Sequence, residues 1–146
     1  MTDDVKKLRD MTGAGVMDCQ RALEEAKGNF ETALKLIKER GVLIAERKGE
    51  RKTGVGIIES YVHNGRIGVL LEMRTETDFV ARSEPFRELA HELAMQISAM
   101  APADVQTLLK QPYIKDEATT VEDIVKRTIA KVGENIKVER FTRYEI

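Results

Sequence analysis

Gly54-Val55-Gly56-Ile57-Ile58-Glu59-Ser60-Tyr61-Val62-His63-Asn64-Gly65-Arg66-Ile67-Gly68-Val69-Leu70-Leu71-Glu72-Met73-Arg74 is the stretch that decides the fold. Two arms rich in apolar and β-branched residues flank Asn64-Gly65, the preferred pair for a two-residue type I′ turn, in which both turn residues need positive φ. The pattern predicts a β-hairpin. A two-residue turn makes Val62 face Ile67, Ser60 face Val69, Ile58 face Leu71 and Gly56 face Met73. These pairs share one face, and it is apolar, so turn and pattern agree. The other face pairs Tyr61 with Gly68, Glu59 with Leu70 and Ile57 with Glu72. It is half apolar, more than a solvated face needs.

Thr77-Asp78-Phe79-Val80-Ala81-Arg82 follows the second arm and sets a carboxylate beside a large aromatic ring. Beyond it a long helix is expected over residues 83–100, with Phe86, Leu89, Ala90, Leu93, Ala94, Ile97 and Met100 at steps of three and four and Pro85 in the first turn. The residues between strand and helix are held by rigid elements yet project outward. A Phe there solvates poorly and makes a good anchor for another protein's pocket. Val80 is the better packing residue, which leaves Phe79 free. Residues 101–118 are broken by Pro102 and Pro112, with a turn of helix over 104–109. Thr119 and Glu122 read as a capping box for a helix bearing Val121, Ile124, Val125, Thr128, Ile129 and Val132 and ending at Gly133. Residues 136–144 read as a third strand.

Residues 1–45 read as three short helices. Thr2 caps the first, which carries Val5 and Leu8 and stops at Thr12-Gly13-Ala14-Gly15. The second carries Cys19, Ala22, Leu23 and Ala26 and ends at Lys27-Gly28. Asn29 caps the third, with Phe30, Ala33, Leu34 and Ile37 on its stripe and Gly41 just past its end. Alone, such a bundle is only marginally stable. Glu46-Arg47-Lys48-Gly49-Glu50-Arg51-Lys52 is charged but for one glycine and reads as a solvated linker. The expected fold class is therefore α plus α+β. A three-helix bundle (1–45) and a charged linker (46–53) precede an α+β core with a three-stranded antiparallel sheet and helices (54–146).

Composition excludes several classes. The chain is 42% hydrophobic and 34% charged, with net charge −1, so no global charge excess argues for nucleic acid or membrane binding. One cysteine permits no intrachain disulfide, and there is no apolar leader or long apolar run, which together point to the cytoplasm.

No catalytic constellation assembles. His63 precedes the turn, and His91 sits off the main stripe of its helix. Cys19 has the spacing of a core residue, and one Cys with two separated His gives no metal-ligand spacing. Gly13-Ala14-Gly15 leads into a helix, but no strand precedes it and no Gly-Lys-Ser/Thr follows, so a tight turn is the better reading. The reading is therefore of a protein that is not an enzyme, without cofactor or metal. What remains are apolar anchors: Val16 and Met17, which open the second helix and are equally suited to complete the bundle core, and Phe79.

Two motifs resemble the translation elongation factor Ts family. They are Leu8-Arg9-Asp10-Met11-Thr12-Gly13-Ala14-Gly15-Val16-Met17-Asp18-Cys19 and Thr75-Glu76-Thr77-Asp78-Phe79-Val80-Ala81-Arg82. Gly133-Glu134-Asn135-Ile136 is similar to a third, smaller family pattern. The resemblance covers essentially the whole chain. It implies a ubiquitin-associated-like bundle before an α+β core, and nucleotide exchange on elongation factor Tu, bound both with GDP and nucleotide-free. By motif it implies that Arg9, Val16 and Met17 contact the partner's nucleotide domain. Asp78 and Phe79, with Thr77 and Val80 beside them, would enter near its magnesium and switch region. One core repeat and no coiled-coil insertion resemble the short form, which implies a homodimer, and Ile57, Tyr61 and Leu70 offer a sheet face for it. Two other classes stay open at this point: a plain adaptor, and a nucleic-acid binder using Arg47, Lys48, Arg51 and Lys52.

Overall fold

Where the sequence places three N-terminal helices, three form: α1 (Asp3–Thr12), α2 (Val16–Glu25) and α3 (Phe30–Lys48). The computed structural model describes residues 3–146, so Thr2, the expected cap of α1, lies outside the described residues. Val5, Leu8, Cys19, Ala22, Ala26, Ala33 and Ile37 form the bundle's core. The Asn29 side chain caps α3, accepting the Thr32 N–H at 3.0 Å.

α3 does not stop at Gly41. It runs to Lys48, so the first three residues of the charged segment are helical. The reason is tertiary. A Cβ on Gly41 would lie 3.3 Å from the Ala130 Cβ of α7 (Val121–Val132), so the missing side chain permits a close helix–helix approach. That packing overrides glycine's weak helix propensity.

The core is a three-stranded antiparallel sheet in the order β1 (Val55–His63), β2 (Ile67–Thr75), β5 (Ile136–Glu145). α4 (Asp78–Ala81) and α5 (Glu84–Met100) follow β2. α5 lies against the hairpin, burying Phe86, Leu89, Ala90, Leu93, Ala94 and Ile97 with Val69, Leu71 and Met73. α6 (Val105–Lys110) opens on Asp104, whose carboxylate accepts the Thr107 N–H at 2.8 Å. The irregular stretch also holds a small hairpin unread in the sequence, β3 (Pro112–Tyr113) with β4 (Asp116–Thr120). The capping box of α7 is Thr120 with Asp123, one residue later than expected, because β4 carries the chain to Thr120 before the helix turns. α7 ends at Gly133, whose φ is 78°.

The hairpin corrects the expected register. Asn64 and Gly65 do adopt positive φ, at 52° and 66°, and the Arg66 N–H donates to the His63 carbonyl at 3.0 Å. The ladder then resumes one residue out of step, pairing His63 with Ile67, Tyr61 with Val69, Glu59 with Leu71 and Ile57 with Met73. Arg66 is thus an extra residue on one arm, and a one-residue slip exchanges the faces of a strand. Ile57 and Tyr61, not Ile58 and Val62, join Val69, Leu71 and Met73 on the core side. Burial decides between two apolar sets on β1. Tyr61 packs its ring edge-on against His91 of α5, centroids 6.0 Å apart, and bonds His63 Nδ1 through its hydroxyl at 2.8 Å.

Candidate functional site

The chain leaves β2 at Thr75, turns through Glu76 and Thr77, and enters the single-turn helix α4. Thr77 caps that turn, its hydroxyl accepting the Val80 N–H at 3.3 Å. Val80 and Ala81 are buried in the core, whereas Asp78 is exposed and Phe79 is 84% exposed. Val80, 5% exposed, packs into the core beneath the corner. A phenyl ring held in water forgoes about 1.5–3 kcal/mol of burial.

The corner is held from outside by one turn. Glu134 Oε1 accepts the Thr77 N–H at 3.0 Å and Glu134 Oε2 accepts the Thr77 hydroxyl at 2.7 Å. The buried Thr75 hydroxyl donates to the Asn135 carbonyl at 2.8 Å, with Glu134 Oε1 at 3.2 Å. The Asn135 N–H donates to Glu76 Oε2 at 2.6 Å, and Glu76 faces Arg51 at 3.7 Å. The Asn135 side-chain amide donates to the carbonyls of Arg51 at 2.9 Å and Gly49 at 3.3 Å. Lys48 Nζ donates to the Gly133 carbonyl at 2.9 Å. Sequence reasoning found this segment only as a small motif and missed what it does. Its signal was an acid and an amide directly after a helix-ending glycine.

The N-terminal candidates separate. Val16 is half-buried against the bundle core, while Met17 is 59% exposed. Arg9 is exposed in the last turn of α1. Cys19 is a buried free thiol, and burial pushes its pKa up, the opposite of an activated nucleophile. Lys48 and Arg51 of the basic run are engaged with Gly133 and Glu76, so the run is not one free cationic patch.

Ile57, Tyr61 and Leu70 do not share a face. The register slip puts Ile57 and Tyr61 on the core and leaves Leu70 on the outer side. There it joins Ile58, Val62 and Tyr144, because Val62, Gly68 and Tyr144 form one cross-strand row and Ser60, Leu70 and Thr142 the next. Ile58 is 70% exposed and Tyr144 73%. Glu72 lies on the same face, where hydrogen bonds from Arg140 and Arg74 hold its carboxyl below the usual range. A cleft of about 580 Å³ separates bundle from core, with Met11, Ala14, Ile44, Leu89 and Ile124 among its lining. Among the described residues, no group of three or more His, Cys, Asp or Glu is placed to hold a metal, and no helix is long and apolar enough to cross a membrane.

A helical bundle docked on an α+β core, with an acid–aromatic pair on a clamped corner, defines a two-module protein that presents fixed side chains outward. The family model for Elongation factor TS matches residues 76–146. The chain is 44% identical to Elongation factor Ts of Thermotoga sp. (strain RQ2), over 99% of this chain and 94% of that protein. It is 40% identical to Elongation factor Ts of Thermosipho melanesiensis (97% and 96%) and 41% identical to that of Prochlorococcus marinus (strain AS9601) (97% and 87%). The chain belongs to the elongation factor Ts family, the translation elongation factors that these relatives represent. The alignment with the Thermotoga protein spans 188 positions against 146 residues here, so that relative carries segments this chain lacks.

Proposed function

We propose that this chain is a guanine nucleotide exchange factor for elongation factor Tu, acting in the cytoplasm during translation elongation and promoting GDP release by inserting Asp78 and Phe79 near the magnesium and switch region. Family membership supports the partner. The observation that carries the mode of action is Phe79, 84% exposed on a corner that both core packing and Glu134 hold in place.

A GTPase holds GDP through its phosphate loop and a magnesium ion. A factor that binds better when that ion is displaced weakens nucleotide binding by the same coupling free energy, since linkage is reciprocal. Each wedge contributes a coupling of about 1–3 kcal/mol, or roughly 5- to 150-fold in affinity. Phe79 supplies shape, pushing between packed elements that have discrete arrangements. Asp78 supplies charge beside a cation site. Arg9 and Met17 add binding area without displacing anything. The chain performs no covalent step; it shifts an equilibrium on its partner.

The test is GDP release from elongation factor Tu followed with a fluorescent nucleotide. Wild-type protein is expected to accelerate release. Met17→Asp is expected to require about tenfold more protein for the same acceleration, the weight of one lost apolar anchor. No acceleration by the wild type would refute exchange and favour a plain adaptor. An unchanged Met17→Asp titration would remove α2 from the interface.

The same reading takes the protein as a homodimer, with a second copy covering the outer sheet face at Ile58, Val62, Leu70 and Tyr144. Leu70→Asp is expected to halve the mass in solution. A wild-type monomer by light scattering would end the dimer reading.

A further inference from the structure

We propose that the turn Gly133-Glu134-Asn135 is a positioning element that holds the Asp78-Phe79 corner and the end of α3 in one frame, with Glu134 acting through Phe79. The proposal rests on the exchange reading above and extends it to residues outside the Asp78-Phe79 pair.

α4 has four residues, too few to sustain a helix by its own hydrogen bonds. The Phe79 ring is almost wholly in solvent, so its direction is set by the backbone beneath it. That backbone is fixed on the buried side by Val80 and Ala81 and on the open side by Glu134. The Glu134 carboxylate accepts two bonds from Thr77, one from its N–H and one from its hydroxyl, while the Thr75 hydroxyl, which donates to the Asn135 carbonyl, lies 3.2 Å from Oε1. An acceptor-only group suits that set. The next residue faces the other way. Asn135 gives its side-chain amide to the carbonyls of Gly49 and Arg51, just past α3, while Lys48 reaches back to the Gly133 carbonyl. The helix that carries the bundle and the corner that carries the ring are therefore referenced to the same three residues, nearly sixty positions beyond the corner in the chain. A wedge and a separate grip can act together only if the distance between them is fixed. This turn fixes it.

The experiment uses the full chain with elongation factor Tu and labelled GDP, comparing Glu134→Ala and Glu134→Gln, each alone and combined with Phe79→Ala. Glu134→Ala is expected to slow release at saturating protein by about tenfold, inside the roughly 5- to 150-fold range of a single coupling interaction. Glu134→Gln, which keeps one acceptor oxygen on Thr77, is expected to retain most of the acceleration. The double variant Phe79→Ala/Glu134→Ala should be no slower than Phe79→Ala, because a residue acting through the ring has nothing left to act on. A double variant slower by the full Glu134→Ala factor overturns the proposal. Should Glu134→Ala fail to fold, Glu134→Asp, whose carboxylate is one methylene too short to keep both bonds to Thr77, carries the same expectations.

A second readout is independent of exchange. The chain has no tryptophan, so Phe79→Trp places a single indole on the corner. Adding Glu134→Ala should lower its fluorescence anisotropy, and adding Glu134→Gln should not. Unchanged anisotropy with Glu134→Ala overturns the anchoring role even if the wild type proves not to release GDP.

Discussion

The bundle and the core are held together differently. The bundle's buried set is made of small residues, three of them alanines, with Leu8 its one large fully buried side chain. The core buries Phe86, Leu71, Met73, Leu93 and Ile97 completely. Burial contributes roughly in proportion to apolar area, so more of the stabilising burial lies in the core than in the bundle. The link between them is α3, which continues past its own bundle to pack on α7 with Gly41 against Ala130. Val80 and Ala81 seat the corner that carries Phe79 in the core, and α3 ties the bundle to that core.

Breaking the core should have the largest effect. Phe86→Ala is expected to cost about 3–5 kcal/mol in urea unfolding. A loss under about 1 kcal/mol would mean that α5 is not the centre of the core. Leu8→Ala removes the bundle's largest buried side chain and should cost about 2–5 kcal/mol locally. Hydrogen exchange should then quicken in α1 and α2 while β2 stays protected. Equal loss of protection in β2 would show one cooperative unit and dissolve the contrast.

The smallest effect sharpens the comparison at the edge of the core, where Glu92 of α5 accepts Tyr113 at 2.9 Å and Lys115 at 2.5 Å and so ties down the β3–β4 hairpin. Burial alone would raise the Glu92 carboxyl, but the bonds from Lys115 and Tyr113 outweigh it and leave it below the ordinary 4.5. A lowered folded value gives stability that is complete above the unfolded value and lost as pH falls through the folded one. Wild-type stability should therefore drop below pH 4.5 more steeply than that of Glu92→Gln. With Lys115 half in water, the difference should be on the order of 1 kcal/mol or less. Superimposable acid profiles would contradict it.

Much of the fold is legible in single residues. Asn29 caps α3, Pro85 opens α5 and Gly133 closes α7, each for local steric or hydrogen-bonding reasons that the chain states by itself. The misreadings share a different cause. Gly41 looked like a stop and is a point of close approach, which only α7 reveals. Asn64-Gly65 forms the turn it promises, yet Arg66 adds a residue, and the choice between Ile57/Tyr61 and Ile58/Val62 is made by α5 from across the core. The candidate site divides the same way. The exposure of Phe79 over a buried Val80 could be read from their places at the corner. The clamp on Thr77 could not, because Glu134 lies far along the chain and its bonds depend on strand order.

In the proposed exchange mechanism Phe79 moves its partner rather than merely gripping it. Stopped-flow GDP release from elongation factor Tu, measured with saturating Phe79→Ala beside wild type, tests this most directly. Release should slow by about 5- to 150-fold, the range of a single coupling interaction, with the affinity of the complex changed only a few-fold. Wild-type release rates at saturation, with the loss confined to affinity, would contradict it and reduce Phe79 to an anchor.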